Sequence, residues 1–256
     1  MIDTRAKIIS SIELMPHTFK IALLAPEIAA KAIPGQFLMI QCDRFTLRRP
    51  VSIHNVIENR IIELLIRIAG RGTASIAGKK EGDALDILGP LGNGFSLEDA
   101  GKKILIIAGG IGIAPLFFLS ATAVQRGINI VLLLGARSKE QVLPLKLFPG
   151  EAEVILSTED GSLGHRGMIT DVAISYLAQC DKAFACGPLP MYHKLLQIID
   201  SNNIKTTVEV SLEVRMGCGF GICYGCSIKT KNGIKQVCRD GPVFSLDQID
   251  LGWVRT

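Results

Sequence analysis

The stretch ILIIAGGIGIAP at residues 104–115 decides how this chain folds. Ile104–Ala108 is an unbroken apolar run, as expected of a strand buried on both faces of a parallel sheet. Gly109, Gly110 and Gly112 then form a turn, and the chain to about Gly127 reads as a helix. Glycines at such a turn let a pyrophosphate approach backbone N–H groups at a helix N-terminus. Pro115 stands where a G-x-G-x-x-G fingerprint has its third glycine, so the turn departs from the Rossmann pattern. Taken alone, it also fits a tight structural turn between strand and helix.

The same rhythm continues downstream. Strands are expected at Asn129–Leu134, Val154–Ser157, Lys182–Ala185 and Thr206–Val210, and helices near Ile169–Leu177 and Met191–Ser201. Apolar strands alternating with helices predict a parallel sheet covered on both faces, over residues 99–210. Cys186-Gly187-Pro188 closes one of these strands. Ligands of open α/β sheets lie outside the carboxyl ends of the strands, so this turn and the glycine turn are expected to face one crevice.

Upstream, residues 1–98 show six short β-rich runs: Lys7–Ile12, Thr18–Leu24, Phe37–Gln41, Val51–Val56, Ile61–Ile68 and Ala84–Leu88. Pro-Gly, Gly-Asp and Gly-Pro pairs punctuate them. That spacing predicts a small antiparallel barrel. Residues 211–256 are glycine- and cysteine-rich with little periodicity. Their apolar content is too low for independent folding, and a metal centre is expected to organise them. The predicted class is therefore α+β multidomain: a β-barrel, a parallel α/β domain and a small C-terminal domain.

The chain has 256 residues, 48% hydrophobic and 20% charged, with a formal net charge of +4. Such a chain can bury a core. It has no run of like charges and no basic–aromatic interleaving, so nucleic acid is not an expected partner. Residues 1–12 are too polar for a signal peptide, and no apolar run is long enough to span a membrane. Of seven cysteines, four fall between positions 218 and 238. A secreted disulfide framework looks different, so a reducing, cytoplasmic setting with a metal site is expected.

Cys218, Cys223, Cys226 and Cys238 are spaced C-x4-C-x2-C-x11-C. This is the plant-type [2Fe–2S] spacing. Gly217, Gly219, Gly221 and Gly225 allow the backbone to wrap a cluster and aim N–H groups at sulfur. Four thiolates also suit structural zinc, but zinc ribbons usually carry two C-x2-C pairs and only one is present here. A disulfide pair is the other rival. Cys42 and Cys180 read as buried small hydrophobes. In the barrel, Arg49 before the strand Pro50-Val51-Ser52 could hold a phosphate and present a hydroxyl to a ring. Leu65-Ile66-Arg67 and Gly72-Thr73 add a cation and free N–H groups. Arginines beside a strand are often only solvated.

In this order, RRPVSI (48–53), GPLGNGF (89–95), GGIGIAP (109–115) and CGP (186–188) resemble the ferredoxin–NADP reductase superfamily. MGCGFGICYGC (216–226) and CRDGPVF (238–244) sharpen this. The whole chain resembles the electron-transfer subunits of class 1B dihydroorotate dehydrogenases. The resemblance implies one FAD per chain, with Arg49 on its pyrophosphate, Ser52 near the flavin N5 edge, and Pro50, Val51, Leu65, Ile66, Arg67, Gly72 and Thr73 beside it. It implies an NAD crevice at Gly110, Gly112, Pro115 and Gly187, with Cys186 near the nicotinamide. The four clustered cysteines would bind one [2Fe–2S] cluster per chain. The implied partner is an FMN-containing catalytic subunit that oxidises dihydroorotate in pyrimidine biosynthesis, in a heterotetramer of two of each.

A flavin belongs between a hydride carrier and a one-electron cluster, because it exchanges electrons either way. No proton-abstracting base is then required, and His17, His54, His165 and His193 read as surface or satisfied core residues. Arg137 is the cation available to a 2′-phosphate, while Glu159-Asp160 adds negative charge; NAD is expected from the resemblance. A related reductase subunit serving ferredoxin, a hydrogenase or sulfur reduction would share these motifs. A zinc-stabilised binding module that keeps only the fold is the non-enzymatic alternative.

Overall fold

The computed structural model describes residues 1–255. Six antiparallel strands, β1 (Ile2–Met15), β2 (Thr18–Leu24), β3 (Phe37–Ile40), β4 (Arg49–Ile57), β5 (Ile61–Arg67) and β6 (Ala84–Leu91), close into a barrel of order β1-β2-β5-β4-β3-β6. Closure leaves no open edge, which suits strands this short and apolar. Ile8, Ile21, Leu38, Ile53, Ile62 and Leu64 fill its interior. Burying each such side chain contributes about 1.5–3 kcal/mol. Two short helices, α1 (Pro26–Ala29) and α2 (Arg71–Ala77), interrupt the barrel sequence. Neither was legible, because four and seven residues are too few to show a helical period.

A seven-stranded sheet follows. Its members are β7 (Lys103–Gly109), β8 (Asn129–Ala136), β9 (Glu153–Thr158), β10 (His165–Arg166), β11 (Lys182–Cys186), β12 (Thr207–Ser211) and β15 (Val243–Ser245), in the order β10-β9-β8-β7-β11-β12-β15. All neighbours pair in parallel except β12 with β15. Helices α3 (Ile113–Gln125), α4 (Ile169–Leu177) and α5 (Leu189–Ser201) cover it. The order reverses between β7 and β11. Their carboxyl ends form the switch point where such sheets bind ligands.

The last segment is more integrated than its composition suggested. It carries a hairpin, β13 (Ser227–Thr230) with β14 (Gly233–Gln236), and a short helix α6 (Val237–Asp240). The signal for the hairpin was Asn232-Gly233, whose glycine takes φ +90°. Ile228, Val237, Cys226 and Cys238 share one core with Met39 and Leu91 of the barrel and Val208 and Val210 of the sheet. The Asn93 N–H donates to the Gly241 carbonyl at 2.6 Å, and the Leu212 N–H to the Pro242 carbonyl at 2.9 Å. Packing on both neighbours, and not only a metal, therefore holds this region.

Candidate functional site

A crevice of about 880 Å³ opens at the switch point. Arg67 of the barrel, Gly109, Gly110 and Gly112 after β7, Gly187 and Pro188 after β11, and Glu213 after β12 all line it. Its far end, beyond β8 and β9, is lined by Arg137 and Glu159. Gly110 sits at φ +56°. At Gly112 a Cβ would fall 2.0 Å from the Cys186 carbonyl oxygen, so only glycine lets the two turns touch. Pro115 is buried in the first turn of α3.

Cys186 lies beneath the crevice floor, fully buried. Its Sγ is 4.0 Å from the Glu213 carboxylate. Burial, and then the Glu213 charge, push the thiol well above its ordinary range. Glu213 is exposed at the crevice it lines, although protein atoms crowd round its carboxylate. Burial raises its carboxyl, while the Arg67 guanidinium opposes this. The Tyr192 hydroxyl accepts the Gly187 N–H at 3.1 Å and donates to the Ser211 carbonyl at 2.7 Å, tying β11 to β12. Glu213 and Tyr192 were missed because only the fold brings them to Cys186.

On the barrel, Arg49 donates to the Leu47 carbonyl at 2.7 Å and stacks over Phe45 at 5.3 Å. Arg71 covers the same ring at 5.9 Å. A Cβ at Gly72 would meet Arg49 Nε at 2.7 Å, so this glycine makes room for the guanidinium. The Thr73 hydroxyl accepts the Ala69 and Gly70 N–H groups at 2.9 and 3.2 Å, which caps α2. Arg44, Phe45, Arg71, Ser75 and Lys79 line an adjoining opening of about 890 Å³. Arg49, Arg71 and the Phe45 ring beside the start of α2 fit a bound phosphate ester, whereas Lys79 is taken by Asp43 at 2.7 Å. Arg48 is taken by Asp3 at 3.0 Å. Pro50 and Ser52 are half-buried, and Val51, Leu65 and Ile66 lie in the cores, so only their backbone can meet a ligand.

The four clustered thiols stand in two pairs. The Cys218 Sγ accepts N–H groups of Ile222 and Cys223 at 3.3 and 3.5 Å. Burial resists it, but backbone donors of Cys223, Phe220 and Ile222 and the Cys223 thiol draw Cys218 down to about 6. The Cys226 Sγ accepts the Cys238 N–H at 3.5 Å. Burial and the Cys226 thiol push Cys238 up to about 12. Among the described residues no three His, Cys, Asp or Glu side chains group tightly enough for a single metal ion. All seven cysteines are free thiols; Cys42 and Cys180 are buried.

Barrel, switch-point sheet and cysteine loop together define the fold of the ferredoxin–NADP reductase class. A model described as the iron-sulfur cluster binding domain of dihydroorotate dehydrogenase B matches residues 213–250. The dihydroorotate dehydrogenase B (NAD(+)) electron transfer subunit of Caldanaerobacter subterraneus subsp. tengcongensis is 39% identical over 224 residues, covering 86% of this chain and 87% of that one. That of Desulforamulus reducens is 36% identical over 255 residues, covering 95% and 97%. This chain belongs to that family of electron transfer subunits. A solved NADH-dependent reduced ferredoxin–NADP oxidoreductase, studied for flavin-based electron bifurcation, superposes with TM-score 0.88 at 28% identity, covering 97% of this chain and 91% of that one. The ferredoxin reductase of carbazole 1,9a-dioxygenase shares the fold at TM-score 0.69 and 20% identity, over 80% and 66% of the two chains. No helix among the described residues is long and apolar enough to cross a membrane.

Proposed function

We propose that this chain carries electrons from a dihydroorotate-oxidising, FMN-containing subunit through a [2Fe–2S] cluster and FAD to NAD+. In this reading residues 1–98 hold one FAD, residues 99–210 bind NAD, and residues 211–256 hold one cluster. The setting is cytoplasmic pyrimidine biosynthesis, in a heterotetramer of two of each subunit. The observation that carries the reading is the crevice, which is touched by the barrel at Arg67, by the nucleotide turns at Gly110 and Gly187, and by the approach to the cysteine loop at Glu213.

A flavin held there would supply hydride exchange with a nicotinamide and single-electron exchange with a cluster. The chain's own residues orient and neutralise. Arg49, Arg71 and the first turn of α2 suit a pyrophosphate, and Ser52 on β4 suits the ring edge. The turn at Gly110–Gly112 suits the dinucleotide phosphates. The Cys186 thiol keeps its proton, and the Glu213 carboxyl beside it is raised by burial against the opposing Arg67 charge. The cysteine pairing supports a two-iron cluster, since such a cluster takes two thiolates on each iron whereas zinc gathers four on one centre. The N–H groups aimed at Cys218 and Cys226 suit cluster thiolates. Phe220, Ile222 and Tyr224 are exposed around Cys223, an apolar rim suited to a partner's face.

The test is to isolate the native complex, identify its partner and measure dihydroorotate-dependent NAD+ reduction. Two irons and one FAD per chain are expected. A colourless protein with one zinc would sink the reading. An active flavin and cluster without any dihydroorotate dependence would favour the related reductase serving ferredoxin, a hydrogenase or sulfur reduction. The likeness to the ferredoxin–NADP oxidoreductase structure keeps that alternative in play.

A further inference from the structure

Strand β4 is irregular at one point. Ile53 pairs with Leu64 of β5 and Asn55 with Glu63, so His54 is an extra residue between them. Val51 and Ile53 fill the barrel, so strand alternation faces His54 outward, onto the first turn of α3. There its Nδ1 lies 3.0 Å from the Ala114 carbonyl oxygen. A carbonyl only accepts, so Nδ1 carries the proton and donates. The ring is 1% exposed and stacks on Phe117, centroids 4.5 Å apart at 30°. Charged neighbours on the barrel side, Lys20 and Glu63, pair with each other at 2.6 Å. A hydrocarbon would fill this joint without the cost of burying a polar ring. What the imidazole adds is one directional bond from the barrel to the nucleotide helix.

The two ends of that bond are significant. Two residues before His54 on the same strand is Ser52, and two residues before Ala114 is Gly112, which packs on Cys186. We propose that His54 is a positioning residue. Its buried bond to Ala114 clamps the flavin-side strand to the nucleotide turn, and this sets the gap that hydride crosses. The proposal rests on the function proposed above. Hydride transfer needs reacting atoms about 3–3.5 Å apart, and a shift of about 1 Å can cost about a hundredfold in rate.

The experiment compares the flavin-loaded full chain with His54→Phe, which keeps a stacking ring but cannot donate, and His54→Asn, which still donates. Flavin reduction by NADH, NADH affinity and hydrogen exchange of the α3 first-turn amides are measured for each. His54→Phe is expected to slow flavin reduction about tenfold to a hundredfold. Its NADH affinity should stay within about threefold. The first-turn amides should exchange at least about tenfold faster, and His54→Asn should recover most of both losses. Wild-type rate and exchange in His54→Phe would overturn the proposal, as would an Asn variant as impaired as the Phe variant. Should the Phe variant not fold, His54→Leu, equally unable to donate, carries the same expectations. A wild-type chain that NADH does not reduce would defeat the proposed function instead. The exchange measurement would still judge the clamp, and unchanged exchange in the variant would overturn it.

Discussion

The nucleotide crevice and the cysteine loop adjoin one another but are built in opposite ways. The crevice rests on strands whose side chains are almost all buried, with backbones in direct contact at Gly112 and Cys186. Residues 212–226 contain no strand or helix, and Cys223 is exposed. Within the loop, N–H groups of Ile222 and Cys223 donate to the Cys218 sulfur, and from outside it the Gln236 side chain donates to the Gly221 carbonyl at 3.1 Å. A site made by packing is shaped before its ligand arrives. A site made by thiols and loop backbone is completed by the metal it binds. Each site should therefore fail in its own way.

The largest expected effect is at the loop. Cys223→Ser should abolish iron incorporation while leaving NADH able to reduce the flavin; retained iron with full coupling to the partner would remove Cys223 from the ligand set. At the crevice, Gly112→Ala drives a methyl group into the Cys186 carbonyl. It should cost about 3 kcal/mol or more in denaturant unfolding, a backbone collision at the upper end of overpacking effects. Iron content should survive in any folded fraction. A Gly112→Ala protein as stable as wild type would show that the two turns are not rigidly apposed.

At the joint between barrel and sheet, burial lowers the His54 imidazole from its ordinary 6.5 to about 4, against the raising influence of the Ala114 carbonyl and Glu63. The unfolded chain takes up this proton below pH 6.5 and the folded one does not. Its contribution is therefore full above pH 6.5 and is lost as pH falls towards 4, by about 3 kcal/mol. Unfolding titrations of wild type and His54→Asn should diverge in that window; parallel curves would count against it. Arg49→Ala should weaken flavin retention by about 1.5–3 kcal/mol, read as flavin occupancy after dialysis. Undiminished occupancy would exclude Arg49 from the phosphate contact. The smallest effect belongs to Glu159, which lines the far end of the crevice with Arg137. Glu159→Gln should improve NADPH relative to NADH by about tenfold, since a carboxylate there repels a 2′-phosphate. An unchanged ratio would place the discrimination elsewhere.

Much of this was legible along the chain because the signals are local. Strand Thr18–Leu24 and helix Ile169–Leu177 stand where the pattern put them. Period-2 and period-3.6 burial imprint themselves on consecutive residues. The missing parts had no local imprint. Helix α2 was too short, β10 has two residues, and β15 is a strand only because β12 offers it an edge.

By itself, the sequence determined the barrel, the alternating sheet, the glycine turn and the cysteine spacing. Each depends on residues within a turn or strand of one another. Only the tertiary structure decided that Cys186 lies under the crevice floor, that Glu213 and Tyr192 meet it, and that the thiols pair as 218 with 223 and 226 with 238. It also decided that His54, on the outer face of the barrel, meets Ala114, 60 positions away. Contacts at such separations depend on how whole layers pack, and no window of neighbouring residues encodes them.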